Sequence, residues 1–522
     1  MDSYRNYVVA CSTFNPCLQN LCNFLSEPKQ STKSCRIKSL DFFAGEDRPQ
    51  QNSEQVDRLS SFLDFNMAGQ EGELLGRLLI VEDITREVIE ILGSSLAIDP
   101  LFFANHIHPL SIDFTDQPPD EAILPSRAKS AAYTNFHYRR AVVFEKEMLD
   151  KVYEVLQDTY GRRRSVGIPL LESLHIGLVQ HCVSIWKRKE MDKAWIGVIL
   201  VDPPINEIWL PGLNEQKYWN PAHISARLLR GGFEDFMNRT RPATVEEENN
   251  RLPRDGLMNS LLSYWRHHRP DDFDPQDPTL FSLSYFPLRI VAAEWNIYAN
   301  LMVHSILQYD YYKRLNRGAI KELEKLDQDL RSLQSWGIAN VHSKQKIGAI
   351  IRFLRFHQTA GMAPESISQL LEDYDYINDK MDECGQLQQS MIPIVTYLVQ
   401  ILDSRRSFAE TANISRLTIL ALIFVPLTFV AGLFSMNEQI APGGSKFWLY
   451  FAVAIPLTMV VYLIACPPVD EINWALRRSR KQNRAQTSPY ETRVEDFVQE
   501  RKGPWLGVFR RKETPEMTEI EF

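Results

Sequence analysis

Leu417-Thr-Ile-Leu-Ala-Leu-Ile-Phe-Val-Pro-Leu-Thr-Phe-Val-Ala-Gly-Leu-Phe-Ser-Met-Asn437 contains no charged residue. A second uncharged stretch, 447–469, follows a loop at 438–446 whose charged residues are Glu438 and Lys446. A helix of about 21 residues rises ~32 Å, enough to cross a hydrocarbon core of ~30 Å. A single apolar run is also what a buried soluble helix shows. Two in succession, joined by a short polar turn, read as a membrane hairpin at the end of a much longer hydrophilic chain. The expected fold class is therefore an α+β membrane protein: an N-terminal cytoplasmic α/β domain, a long helical stalk and two C-terminal transmembrane helices.

The flanks of the hairpin set its orientation. Arg405, Arg406 and Arg416 precede the first span, and Arg477, Arg478, Arg480, Lys481 and Arg484 follow the second. Positive charge gathers on the cytoplasmic side, which puts both termini in the cytoplasm and the loop outside. The chain opens without the apolar core of a signal peptide and without an Arg-rich, acid-free transit segment. The plasma membrane is the favoured location, with an internal membrane as the alternative. The net charge of −8 argues against nucleic acid as a partner and suits cation handling. The seven cysteines form no CxxC pair and their number is odd, as expected of free thiols in a reducing compartment.

Working outward from the hairpin, residues 1–70 read as a polar, poorly ordered segment, and 71–281 as a cytoplasmic α/β domain. Arg77–Val81 is strand-like. Asp83 reads as an N-cap, with Ile84, Val88, Ile91 and Leu92 on one helical face and Gly93 as the stop. Asp99-Pro100 opens another helix. Ala141–Phe144, Leu178–Ile185 and Trp195–Val201 read as strands. Residues 236–280, with Glu246-Glu-Glu248 and Asp271-Asp-Phe-Asp-Pro275, read as an acidic, Pro-rich insertion exposed to solvent. Residues 282–416 form the helical region and stalk: Ile320, Leu323, Leu326, Leu330 and Leu333 recur at spacings of three and four. A last long helix begins at Pro364-Glu365, with Ile367, Leu370, Tyr374, Ile377, Met381, Cys384 and Leu387 on one face and Pro393 as an expected kink. It has no stop signal before the first span, so stalk and span read as one rod. The spans are 417–437 and 447–469, and 470–522 is a basic-then-acidic cytoplasmic tail.

Enzyme signatures are missing: the sequence has no GxxxxGK[ST], no HExxH and no GxSxG. The chain reads as a non-enzyme without a cofactor. His106-Ile-His108 lacks a neighbouring Cys or carboxylate to complete a metal set, so core or surface histidines are the simpler reading. The first span is more informative. At 100° per residue, Asp403, Glu410, Leu417, Ala421, Thr428 and Ser435 fall within roughly 20° of one line. Copies of this helix around an axis would line a wet path with hydroxyls and carboxylates. A helix-packing face of small residues accounts equally well for Ala421 and Thr428.

The string Pro426-Leu-Thr-Phe-Val-Ala-Gly-Leu-Phe-Ser-Met-Asn437 resembles the end of the first membrane helix in CorA-type magnesium transporters, which carry a Gly-Met-Asn signature there. The resemblance covers roughly residues 365–470. It implies a homopentamer in the lipid bilayer, conducting divalent cations, with the first span lining the pore. It places Ser435, Met436 and Asn437 at the outer mouth, Asn437 forming an amide ring that accepts hydrogen bonds from hydrated magnesium. Thr428 would form a deeper hydroxyl ring, and Leu417 and Val425 hydrophobic constrictions. Asp403 and Glu410, from the stripe alone, are candidates for an inner vestibule. Ser435 stands where the signature has Gly, and the loop continues Glu438-Gln-Ile-Ala-Pro instead of the usual aromatic-then-Met-Pro-Glu, leaving Glu438 as the acidic residue that would draw cations. Asp375, Asp379 and Asp382, in an acidic run on the stalk, are candidates for sensing cytosolic magnesium, with a solvated helix face as the plainer reading. The function expected is a homo-oligomeric divalent cation channel or transporter, magnesium first, driven by membrane potential. A zinc or cobalt transporter of the same superfamily, or a non-conducting membrane-anchored scaffold, are the alternatives.

Overall fold

The computed structural model describes residues 3–26, 35–63, 74–107, 124, 126–127, 131–145, 152–156, 163–167, 175–189, 194–205, 207–208, 224–232, 234, 256–267, 269–315, 323–359, 365–435 and 446–465. The described chain divides into two compact units, 1–402 and 403–522.

The first unit is built on a ten-stranded mixed sheet. Its strands are β1 (Arg36–Phe43), β2 (Gln50–Glu54), β3 (Leu74–Glu82), β4 (Tyr133–Phe144), β5 (Val152–Leu156), β6 (Arg163–Gly167), β7 (Ile176–Arg188), β8 (Trp195–Val201), β9 (Glu207–Ile208) and β10 (Ile224–Leu228). The order is β2-β1-β3-β8-β7-β4-β10-β9, with β5 and β6 attached through β7. Every pairing is antiparallel except that of β3 with β8, which runs parallel from Gly76↔Trp195 to Glu82↔Val201. β8 coincides with the run read as a strand, and its seven residues are all buried. Burial on both faces explains its unbroken apolarity.

Alternation along β3 and β8 separates two cores. Leu78, Ile80, Ile199 and Val201 face one cluster; Leu79, Val81, Val198 and Leu200 face the other. The second cluster is covered by α1 (Tyr4–Ser12), α2 (Gln19–Ser26), α3 (Val56–Leu63), α4 (Arg86–Leu96) and α5 (Pro100–Ile107). The reading of 1–70 as poorly ordered is corrected here. These residues supply three helices and two strands, and Tyr4, Val8, Leu21, Leu25, Leu40 and Phe42 are core residues. The cap of α4 is also corrected. Thr85, not Asp83, accepts from the Val88 amide, while Asp83 sits in the left-handed region at φ 61°. Gly93 lies inside α4, where a Cβ would run into the Tyr4 ring at 2.5 Å; the helix ends at left-handed Ala97. Gly76 has the same steric origin: a Cβ there would fall 2.0 Å from the indole of Trp195.

The first cluster is covered by α6 (Leu257–His267), α7 (Leu280–Leu315), α8 (Leu323–Thr359) and the first part of α9 (Glu365–Phe434). The reading of 236–280 as a solvated insertion is corrected over its second half. Leu257, Met258, Leu261 and Trp265 of α6 are buried, and Phe42, Trp195, Trp265 and Phe273 form an aromatic cluster with ring centroids 5.0 to 6.2 Å apart. Residues 235–255 and Ile320 lie outside the described residues. On α9 the expected face is the buried one: Ile367, Leu370, Tyr374, Ile377, Met381 and Cys384 are each at most 2 % exposed. Burial also holds the Cys384 thiol protonated, its pKa pushed up to about 11. α9 is helical throughout, Pro393 and Pro426 included.

Two buried ion pairs fix this unit, one within the sheet and one between the sheet and a helix. Asp41 takes a double hydrogen bond from Arg77, Nε–Oδ1 at 2.7 Å and Nη2–Oδ2 at 2.9 Å. Arg140 of β4 donates through Nε to Glu294 of α7 at 2.7 Å, with both side chains deeply buried. Burial opposes charge on Arg140, but the Glu294 carboxylate more than offsets it and holds the guanidinium ionised. Burial raises the Glu294 pKa above its ordinary value despite Arg140.

Candidate ion-conduction site

The second unit contains the end of α9 and α10 (Trp448–Ala465). Among the described residues, α9 is the one helix long and apolar enough to cross a membrane; α10 carries a shorter apolar run, Trp448–Tyr462. The 18 residues of α10 rise about 27 Å.

Side chains here are arranged differently from those in the sheet unit. Leu417, Val425 and Phe429 are 67 %, 65 % and 62 % exposed, far more than soluble packing leaves to large apolar residues. The buried residues are Pro426 and Val430 of α9 and Ala454 of α10. The small Ala454 side chain permits close helix approach. Tyr450 donates its hydroxyl hydrogen to the Leu427 carbonyl at 3.4 Å, tying the two helices together.

At about 100° per residue, Pro426 and Val430 lie roughly 160° to either side of Thr428. α10 therefore covers the side of α9 opposite the polar stripe. Asp403, Glu410, Leu417, Ala421, Thr428 and Ser435 are all exposed. Thr428 returns its hydroxyl hydrogen to its own helix, with the Phe424 and Val425 carbonyls as acceptors. Its oxygen keeps a lone pair for a water on the stripe. Thr418 bonds Ile414 in the same way at 2.9 Å.

Other site residues are placed less simply. Val425 stands about 60° off the stripe. It lines an apolar groove of about 520 Å³ with Thr418, Ala421, Leu422, Pro426, Phe429 and, from α10, Leu457 and Val461. Glu410 is held by Arg406 one turn back, Nε–Oε1 at 3.1 Å. Ser435 closes the last turn through its amide to the Ala431 carbonyl at 2.9 Å. Met436, Asn437 and Glu438 lie outside the described residues.

On the stalk, Asp375 pairs with Arg355 at 3.4 Å, and Lys344 bonds Asp382, both partners standing on α8. Asp373 pairs with Arg289 of α7 at 2.7 Å. These carboxylates hold α9 against its neighbours, and Asp379 is exposed beside them. No group of three His, Cys, Asp or Glu side chains among the described residues is set to hold a metal. His106 is a core residue, bonded through Nδ1 to Ser184 Oγ at 2.8 Å, with Asp202 Oδ1 3.9 Å from Nε2; His108 lies outside the described residues.

The groove was missed in the sequence. Its residues follow helical spacing (418, 421, 422, 425 and 429), but apolar residues occupy most faces of this segment, so periodicity cannot single them out.

The described part of the second unit is helical, and its longer helix is apolar enough to cross a membrane. Residues 310–466 match the family described as CorA-like Mg2+ transporter protein. Two solved structures are similar to this chain. The complete structure of the CorA magnesium transporter from Methanocaldococcus jannaschii is 10 % identical with a TM-score of 0.38, covering 83 % of this chain and 97 % of its own. The full-length CmaX protein is 10 % identical with a TM-score of 0.34, covering 87 % and 99 %. No curated protein sequence matches the chain.

Proposed function

We propose that this chain assembles with copies of itself, as a pentamer, into a membrane channel for divalent cations, magnesium first. The single observation that carries this reading is the position of the polar stripe. The one described helix able to span a bilayer lies within the CorA-like match, and its Thr428 face is among the sides that α10 leaves bare. A polar face has no partner in lipid; a ring of copies gives it a water-filled one.

Both α9 and α10 cross the membrane in this reading, with residues 463–469 completing the second span and both termini in the cytoplasm of a plasma-membrane protein. Asn437, with Ser435 and Met436, forms the outer mouth, and Glu438 raises the local cation concentration there. Thr428 supplies a hydroxyl ring and Leu417 a dewetting constriction, while Val425 meets the pore only at its edge. Asp403 and Glu410 form the inner vestibule. Hydrated magnesium is the favoured ion because it sheds water reluctantly, so amide and hydroxyl oxygens can select it through its shell. A doubly charged ion gains about 4.6 kcal/mol per 100 mV on entry, so no nucleotide site is required. A regulatory magnesium at Asp375, Asp379 and Asp382 would have to displace Lys344 and Arg355, which makes these residues gating candidates through the helix contacts they already make.

The test is uptake in cells lacking their own magnesium transport. Expression should restore growth at low magnesium, and Asn437→Ala should remove the rescue while leaving surface expression and assembly intact. Surface-expressed protein that gives no flux for magnesium, zinc or cobalt would end the channel reading.

A further inference from the structure

Two buried amides interrupt the apolar faces along which α8 and α9 meet. Asn340 stands between Trp336 and Ser343 in the buried row of α8, and Gln388 between Cys384 and Met391 in that of α9. Asn340 donates through Nδ2 to the Met381 carbonyl at 3.2 Å, and Gln388 donates through Nε2 to the Leu333 carbonyl. Each amide reaches its carbonyl past a glycine. A Cβ on Gly385 would fall 2.8 Å from Asn340 Nδ2, and one on Gly337 would fall 3.6 Å from Gln388 Nε2. Both helices show the same spacing: the accepting residue, a glycine four positions on, and an amide three beyond that. Leu333, Gly337 and Asn340 thus oppose Met381, Gly385 and Gln388. A helical side chain leans back over the turn before it, so a glycine leaves the carbonyl four residues earlier open. That oxygen accepts one hydrogen bond within its own helix and keeps a second lone pair for the amide.

We infer that Asn340 and Gln388 are positioning residues, a reciprocal lock that fixes the axial register of α9 against α8. The two helices run antiparallel here, since Asn340 meets Gly385 where Gln388 meets Gly337. Displacing α9 by one turn, about 5.4 Å, breaks both bonds together. Asn340 would then face Met381 or Gln389 where Gly385 now stands, and Gln388 would face Leu333 or Val341 in place of Gly337. Each of those side chains covers the carbonyl behind it and strands a buried amide, which costs more than a hydrogen bond returns. A lone amide in an apolar seam specifies register at a cost in stability. The cost is visible at Asn340, whose Oδ1 is buried without a hydrogen bond. The ion pairs alongside, Arg355 with Asp375 and Lys344 with Asp382, are partly exposed and sit on long side chains that can follow a slip. Because α9 continues into the proposed span, the lock makes its axial movement and that of α8 one motion.

Cross-linking within the full-length chain in membranes reads the register. Lys344→Cys is paired with Asp382→Cys, its present neighbour, or with Asn378→Cys or Gln386→Cys, one turn to either side, all with Cys384→Ala. A short bifunctional thiol reagent is applied, and linked peptides are quantified by mass spectrometry. The in-register pair should link at least about tenfold faster than either displaced pair. Asn340→Leu with Gln388→Leu keeps the seam filled, so the melting temperature should hold or rise while the preference falls below about threefold. Gly385→Ala keeps both amides but sets a methyl against Asn340, and should lose the preference as well. Gly337→Ala, whose methyl meets Gln388 at ordinary contact distance, should keep it. Equal rates for the three pairs in the otherwise native chain overturn the lock, as does a preference that survives in the leucine pair or in Gly385→Ala. Should the leucine pair fail to fold, the two alanine variants decide. No readout involves ion flux, so the channel reading is tested separately.

Discussion

The two halves of one helix, α9, handle apolar side chains in opposite ways. From Ile367 to Val395 its apolar face is buried against α7 and α8, and the remaining faces carry charge. From Leu417 to Leu433 apolar residues stand exposed on most sides, and the least apolar line is among the exposed ones. The first half follows the rule for a globular domain, where burial drives folding. The second matches the membrane span proposed above, where backbone satisfaction and close packing of small residues replace that drive.

The contrast can be broken most sharply by truncating matched side chains. Phe42→Ala removes the ring at the centre of the Trp195, Trp265 and Phe273 cluster and should lower stability of the first unit by about 3–5 kcal/mol in denaturant titration. Val453→Ala, on an exposed face of α10, should stay within about 0.5 kcal/mol. Equal losses would mean that both halves are packed alike. Arg140→Met comes next. It strands the Glu294 carboxylate in the core and should cost about 3 kcal/mol, most of which Arg140→Met with Glu294→Met together should recover. A double variant no better than the single would show that the pair does more than neutralise itself. Thr428→Val keeps volume and deletes the hydroxyl. Uptake should fall about tenfold while thermal stability is unchanged, whereas a packing role would move stability and leave flux alone.

The smallest effect is one of pH. His357 is half-buried against Phe353 and Phe281, and burial lowers its pKa below the ordinary 6.5. The folded chain thus binds this proton less readily than the unfolded one. The stability contributed by the neutral ring is complete above about pH 6.5 and is lost as pH falls through the range below it. His357→Phe should flatten that part of the stability profile, and a profile with the same acid slope would assign the slope elsewhere.

How far the sequence could be read follows from the same contrast. The buried face of α9 and strand β8 were legible because period 3.6 and unbroken apolarity are local patterns. α1, α2 and β1 were not, because their apolar residues are sparse and gain meaning only against β3 and α4. α6 was obscured by the acidic residues around it, although Trp265 was the signal of a core helix in that stretch. Asp41, Arg77, Arg140 and Glu294 look like surface charges in one dimension, and only the fold brings each to its partner. In the candidate site the stripe was legible from Thr428 and its helical neighbours. The bare position of that stripe, the Arg406 partner of Glu410 and the groove beside Val425 required α10 and the neighbouring turns to be in place.

The lone parallel pairing at the middle of the sheet carries a consequence for biosynthesis. β3 has no partner on its inner side until β8 has left the ribosome, so Gly76 waits for Trp195 while β1 alone guards the strand. Such distant closure is intrinsically slow. Translation supplies the time: every described sheet strand precedes Leu417, so the sheet can close before the apolar end of α9 is complete.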